Sequence, residues 1–201
     1  MGRSLPKQKD LAENIPIFQL YRSASFSGNT SNILMVFYSP PGCLRVLDPA
    51  RDYDLFIFPR EIEESMFISK PGQIILDSPI NAIPPEMIFG VEPERDWCYY
   101  FESADLARQR GDWKQVVELG DLAFSRGLTP GDRSELIIFI ESYFQTGDWN
   151  RSLNMIKETY SLQPNLHIKL CSILDQFIEG EAPDQSSLAA LSSSRNSMGC
   201  E

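Results

Sequence analysis

The sequence predicts an α+β fold, a small β or α/β module followed by paired helices, on three observations. Residues 30–94 hold short β-branched and aromatic runs broken by proline and glycine, the pattern of brief strands and turns. Residues 95–180 repeat apolar side chains at spacings of three and four, which is helical. Gly-Asp-Trp occurs twice, at Gly111–Trp113 and Gly147–Trp149, 36 residues apart and each time between two helix-length segments. Outside these regions, residues 1–29 read as a polar, partly disordered leader and residues 181–201 as a disordered Ser-rich tail.

Taken in order, Ser23–Asn32 is a small-polar loop, and Ile33–Tyr38 (ILMVFY) is a strand ended by Pro40-Pro41-Gly42. Cys43–Leu47 alternates apolar and polar as a half-buried strand does. Tyr53–Phe58 and Gln73–Leu76 are two further strand candidates, with a short helix or irregular turn over Ile62–Ile68 between them. Ile80–Pro93, with Pro84, Pro85 and Pro93, should run extended across the helices, anchored by Ile83, Ile88 and Phe89.

The first helix carries a stripe of Trp97, Tyr100, Phe101, Ala104 and Ala107. Asp112 and Gln115 form a capping box for the second, whose stripe includes Val116, Gly120, Ala123 and Phe124. Gly120 and Ala123 predict a close helix approach, since glycine costs about 1 kcal/mol relative to alanine in a helix interior. A second capping box, Asp132 with Glu135, precedes the stripe Leu136, Phe139, Ile140, Tyr143 and Phe144. Asp148 caps the fourth helix, which Pro164 ends. Asn165 caps a fifth helix to about Glu179, and with no partner of its own this helix reads as a terminal cap. The 36-residue offset is close to the period of about 34 of tetratricopeptide helical hairpins. Two such hairpins are too few to stand alone, so the β module should supply burial.

The formal net charge is −10, with a pI near 4.6, and no segment is basic, which disfavours nucleic-acid and anionic-membrane partners. Ile33–Tyr38 is the longest apolar run, far short of the roughly 20 residues that span a bilayer, so no direct membrane insertion is expected. Cys43, Cys98, Cys171 and Cys200 show no Cys-x-x-Cys spacing. That argues against a zinc site and a disulfide framework and fits a reducing compartment.

Several residues invite a chemical reading. Asp52-Tyr53-Asp54 has the Asp-x-Asp form that holds a divalent metal beside sugar-nucleotide phosphates, against the plainer reading of a solvated acidic loop. Cys43 after its turn could act as a nucleophile, but the one histidine, His167, lies far along the chain, so a structural thiol is the simpler reading. Glu61, Glu63 and Glu64 read as an exposed charge run. Asn29-Thr30-Ser31 and Asn150-Arg151-Ser152 fit the glycosylation pattern by chance. Trp113 and Trp149 read first as wedges between helices and second as ligand-facing aromatics. Arg108 and Arg110 read first as partners of Asp105 and Asp112. The candidate partner-binding groove between the hairpins is assigned to Tyr99, Arg108, Tyr143 and Trp149, where Tyr, Trp and Arg concentrate binding energy. No catalytic, cofactor or metal residue is assigned.

The blocks SGNTSNILMVFYSPPGCLRVLDP, IPPEMIFGVEPERDWCYYFESADLARQRGDWKQVVELGDLAF and FIESYFQTGDW resemble the soluble carboxy-terminal region of bacterial membrane glycosyltransferase-like proteins of the lipid-phosphate-mannose mannosyltransferase class. In that family the catalytic acids lie in the membrane-embedded part, so none carries over. The resemblance implies a non-catalytic accessory domain that binds a protein or peptide segment, possible partners including a membrane glycosyltransferase. Two other expectations are an enzyme domain that handles a nucleotide- or lipid-linked sugar through Asp52 and Asp54, and a purely structural cap of a larger chain.

Overall fold

A computed structural model describes residues 14–74, 85–180 and 184–200. The fold is α+β, with most residues in helices and two small antiparallel two-stranded sheets. It divides into two compact units, Met1–Phe37 with Arg45–Ile75, and Tyr38–Leu44 with Leu76–Glu201.

In the first unit, β1 (Pro16–Tyr21) pairs with β2 (Ala24–Asn29), placing Phe18 opposite Ser27 and Tyr21 opposite Ala24. This hairpin replaces the expected leader and small-polar loop. Its two-residue turn holds Arg22 at φ 54°, a left-handed conformation that costs a non-glycine residue roughly 1–2 kcal/mol. Only Val36–Phe37 (β3) and Arg45–Val46 (β4) of the next two expected strands pair. The Tyr53–Phe58 segment is irregular. It works by side-chain burial: Leu55 and Phe58 join Leu47 and Met66 in the core, and Phe58 meets the edge of Phe37 at 5.1 Å. Helices α1 (Pro49–Asp52) and α2 (Arg60–Ser65) frame this core, and a 3-10 turn at Met66–Ile68 follows α2. Pro71–Gln73 is also a 3-10 turn rather than a strand. Ile74 follows it as the cap, and Ile75, Leu76 and Ile83 lie outside the described residues.

In the second unit, α3 (Glu86–Phe89) precedes α4 (Trp97–Gln109), α5 (Trp113–Ser125), α6 (Ile137–Gln145), α7 (Trp149–Leu162), α8 (His167–Glu179) and α9 (Gln185–Met198). The two Gly-Asp-Trp turns are built alike. Gly111 and Gly147 sit at φ 73° and 85°, where a Cβ would be strained. In each turn the glycine N–H returns to the carbonyl three residues back and the aspartate N–H to the carbonyl five back, which closes the helix end. Asp112 and Asp148 then accept the N–H groups of Gln115 and Arg151 at 3.1 and 3.2 Å, starting the next helix. One tripeptide therefore ends one helix and begins another.

The core of this unit follows the expected stripes: Trp97, Phe101, Ala104, Val116, Ala123, Phe139, Ile140, Ile156, Leu170 and Leu174 are buried. A Cβ on Gly120 would lie 2.6 Å from Phe139 Cδ1, so the close helix approach is real. Within the expected disordered tail, Gln185–Met198 is a helix. Helix α9 starts at Asp184, whose carboxylate accepts the N–H groups of Ser186 and Ser187 at 2.9 Å each. It packs on α8 and buries Leu191 completely. So the fifth predicted helix has a partner after all.

Candidate functional site

The four residues assigned to the groove lie in three different environments. Arg108 is buried and held by Asp105, with Nη2 at 2.6 Å and Nε at 2.8 Å from Oδ1. That is the intramolecular pairing, and it withdraws Arg108 from any groove. Tyr143 is fully buried and donates its hydroxyl to Asp121 at 2.9 Å. Arg151 covers the Tyr143 ring at 4.2 Å and pairs with Asp121 at 2.5 Å. Burial, with the Asp121 hydrogen bond second, raises the phenol well above the ordinary tyrosine range. Trp149 is half-buried between Phe144 at 5.4 Å and Phe177 at 6.1 Å, a wedge between helix ends. Tyr99 alone of the four is exposed, with the Arg95 guanidinium 4.6 Å from its ring centre.

Residues missed in the sequence lie just upstream of Tyr99. Ile88 and Phe89, expected as anchors, are exposed, together with Met87 and Val91, the four ranging from 69% to 95% accessible. Helix α3 is one turn long, too short to bury a face by its own periodicity, so its apolar residues stay in solvent. They precede in sequence the exposed Arg95–Tyr99 pair at the start of α4.

The Asp-x-Asp residues are occupied differently. Asp52 Oδ2 accepts the N–H of Asp48 at 2.8 Å, inside the turn that starts α1, and Asp54 is buried. Glu64 pairs with Arg60 at 2.6 Å on an exposed face. Thr30 of the first glycosylation pattern is buried and bonded to Ile15 N–H at 2.8 Å. Ser152 of the second is buried and donates to the Ile140 carbonyl at 2.8 Å.

The cysteines depart most from expectation. Cys43 bonds to Cys98 and Cys171 to Cys200, across 55 and 29 residues of sequence. Sequence spacing did not reveal them because folding, not adjacency, brings each pair together. The first bond fastens the segment 38–44 to α4. Glu135, fully buried, accepts Cys43 N–H through Oε1 and Trp97 Nε1–H through Oε2, both at 2.6 Å. Its side chain therefore leaves the capping box predicted for it, and Asp132 caps Ser134 N–H alone at 2.9 Å. Gly131 admits the same segment, since a Cβ there would lie 2.3 Å from the Pro41 carbonyl oxygen.

The second bond lies beside the histidine. His167 and Cys171 are one turn apart on α8, and His167 Nε2 is 3.5 Å from Cys171 Sγ and 3.0 Å from the Met198 carbonyl oxygen. Gly199, at φ 72°, closes α9, and Cys200 N–H returns to the Arg195 carbonyl at 3.2 Å, which turns Cys200 back toward α8. His167, Ile168, Cys171, Ser172, Asp175 and Gly199 line an open depression of about 480 Å³. One potential ligand atom from each of His167, Cys171 and Cys200 lies within 4.8 Å of the others. The i, i+4 pair was legible in the sequence, but Cys200 was hidden in the residues read as tail.

Among the described residues no helix is long and apolar enough to cross a membrane. Comparison with protein families, curated proteins and solved structures finds no match for this chain.

Proposed function

We propose that the chain is a non-catalytic accessory domain that docks a protein or peptide segment through the surface leading into α4, in the manner of tetratricopeptide-like helical hairpins. The observation that carries this reading is the exposed run Met87, Ile88, Phe89 and Val91, which precedes the Arg95–Tyr99 pair in sequence. Apolar side chains clustered in solvent gain free energy when a partner covers them, by about 25 cal/mol per Å² buried. The aromatic and arginine of that pair supply the side-chain types that dominate such contacts. A net charge of −10 favours a protein partner over nucleic acid. The resemblance to the soluble part of membrane glycosyltransferase-like proteins makes such an enzyme the leading partner. The two disulfides are what an oxidising compartment sustains, which supports a site of action outside the reducing cytoplasm.

The test is site-specific photo-crosslinking in cells. A benzophenone side chain at Phe89 should give a discrete product with another protein, and the same group at exposed Lys157 should not. Adding Ile88→Asp should abolish the product. Equal products from both sites, or a product with the mass of two copies of this chain, would sink the proposal.

A further inference from the structure

His167, Cys171 and Cys200 bring one imidazole nitrogen and two sulfurs within 4.8 Å of one another, and the two sulfurs are joined as a disulfide. We propose that, once the Cys171–Cys200 bond is reduced, His167 Nε2, Cys171 Sγ and Cys200 Sγ bind a thiophilic divalent cation, zinc by the chemistry of the donor set, with the fourth position open to the depression. Two thiolates and an imidazole are the donors that zinc selects.

The distances fit. Zn–S near 2.3 Å and Zn–N near 2.0 Å at a tetrahedral angle set an S···N edge of about 3.5 Å and an S···S edge of about 3.8 Å. The His167 Nε2 to Cys171 Sγ separation is 3.5 Å already. Cys200 has to withdraw, and the Met198 carbonyl, which lies 3.0 Å from Nε2 on the side where the ion must sit, has to turn aside with it; both flank Gly199, whose left-handed backbone ends α9. The depression admits both the ion and a water to its fourth position. His167 and Cys171 need no rearrangement, because residues four apart on a helix share a face.

The chemistry balances as follows. A dithiol reductant delivers two electrons and two protons to the disulfide and itself becomes a disulfide, leaving thiols at Cys171 and Cys200. Binding of the cation releases those two protons to solvent. The proton that His167 Nε2 directs at the Met198 carbonyl moves, through solvent, to Nδ1, which frees the Nε2 lone pair for the metal. The complex of one dication, two thiolates and a neutral imidazole carries no net charge, which suits cysteines that are each only 8% accessible. Asp175, at the rim, is already paired with Arg195 at 2.5 Å and adds no uncompensated charge. In the reverse direction an oxidant of the disulfide class takes two electrons from the thiolates, re-forms the bond and expels the ion. The C-terminal end of α9 is therefore stapled to α8 in both redox states, once by a covalent bond and once by a metal.

Cobalt(II) is the probe. The full chain, reduced anaerobically with a phosphine, should bind one Co²⁺ per molecule with thiolate charge-transfer and intense tetrahedral d–d absorption, and Zn²⁺ should displace it. The oxidised chain should show neither band. Cys200→Ser should abolish the charge-transfer band expected for two thiolates. His167→Gln, which keeps both cysteines, should weaken Co²⁺ by at least ~10-fold, the low end of what losing a mere second-shell partner costs a metal site. Zn²⁺ should also protect Cys171 and Cys200, but not Cys43 and Cys98, from alkylation mapped by mass spectrometry. The proposal is overturned if the reduced chain shows no tetrahedral band. It is equally overturned if the bands survive in His167→Gln at unchanged affinity, or if protection maps to Cys43 and Cys98.

Discussion

The two disulfides close loops of comparable cost but fasten different kinds of structure. Chain entropy alone assigns about 4 kcal/mol to the 55-residue separation and about 3.5 kcal/mol to the 29-residue one. Cys43–Cys98 holds an irregular segment against α4. That segment has no ladder of its own, and its Cys43 amide depends on a buried carboxylate from the turn before α6. Cys171–Cys200 joins two helices that already pack on one another and bury Leu170, Leu174 and Leu191, and a histidine and a depression lie beside it. The surroundings, rather than the loops, separate a bond that builds the fold from one that the fold can spare.

This contrast can be broken experimentally. The largest effect should come from Glu135→Ala, which leaves the Cys43 and Trp97 N–H groups buried without their charged acceptor. With hydrogen bonds to charged groups contributing about 1.5–3 kcal/mol each, we expect a loss of roughly 4–5 kcal/mol in urea denaturation followed by circular dichroism. Cys43→Ser with Cys98→Ser should follow at about 4 kcal/mol. Cys171→Ser with Cys200→Ser should cost only about 2 kcal/mol, below the chain-entropy figure, because the two helices it joins already pack on one another without it. If the second pair costs as much as the first, the distinction between them fails.

Gly120→Ala serves as a control that alters neither bond. Its Cβ would strike the Phe139 ring, and overpacking of about 1–3 kcal/mol should exceed the gain of about 1 kcal/mol in helix propensity. The net loss should be the same in oxidised and reduced protein, as read from the urea midpoint.

The smallest effect belongs to Tyr143. Its folded phenol titrates above the ordinary value of 10.0, so above that pH the unfolded chain holds fewer protons than the folded one. Stability is therefore complete below pH 10 and declines as pH rises beyond it. Tyr143→Phe should cost about 1 kcal/mol at neutral pH through loss of the Asp121 hydrogen bond, and should flatten this residue's share of the alkaline decline. A thermal-melt series at rising pH checks it. Unchanged slopes in the variant would remove Tyr143 from the account.

The helical half was legible because its signals are local. The stripe from Trp97 to Ala107, the caps at Asp112 and Asp148 and the close approach at Gly120 each rest on residues within a few positions of one another. The β half was legible only in part. Ile33–Tyr38 has strand composition, yet two of its residues pair, because ladder length depends on the partner strand. Tyr53–Phe58 has the same composition and meets no partner, so it packs by its side chains alone. The candidate groove was the least legible. Arg108 and Tyr143 have the chemistry of contact residues, but Asp105 and Asp121 lie within reach and occupy both.

By itself, then, the sequence determined where α4 and α6 end and where α5 and α7 begin, since capping and helix closure there are set by the tripeptide Gly-Asp-Trp and its nearest neighbours. It also determined which helix faces are apolar. Tertiary structure alone decided which cysteines meet, that Glu135 leaves its cap to bind Cys43 and Trp97, and that Leu191 and Cys200 close the C-terminal end against α8. Those contacts join residues tens of positions apart, and the free energy that selects them exists only after the intervening helices have packed.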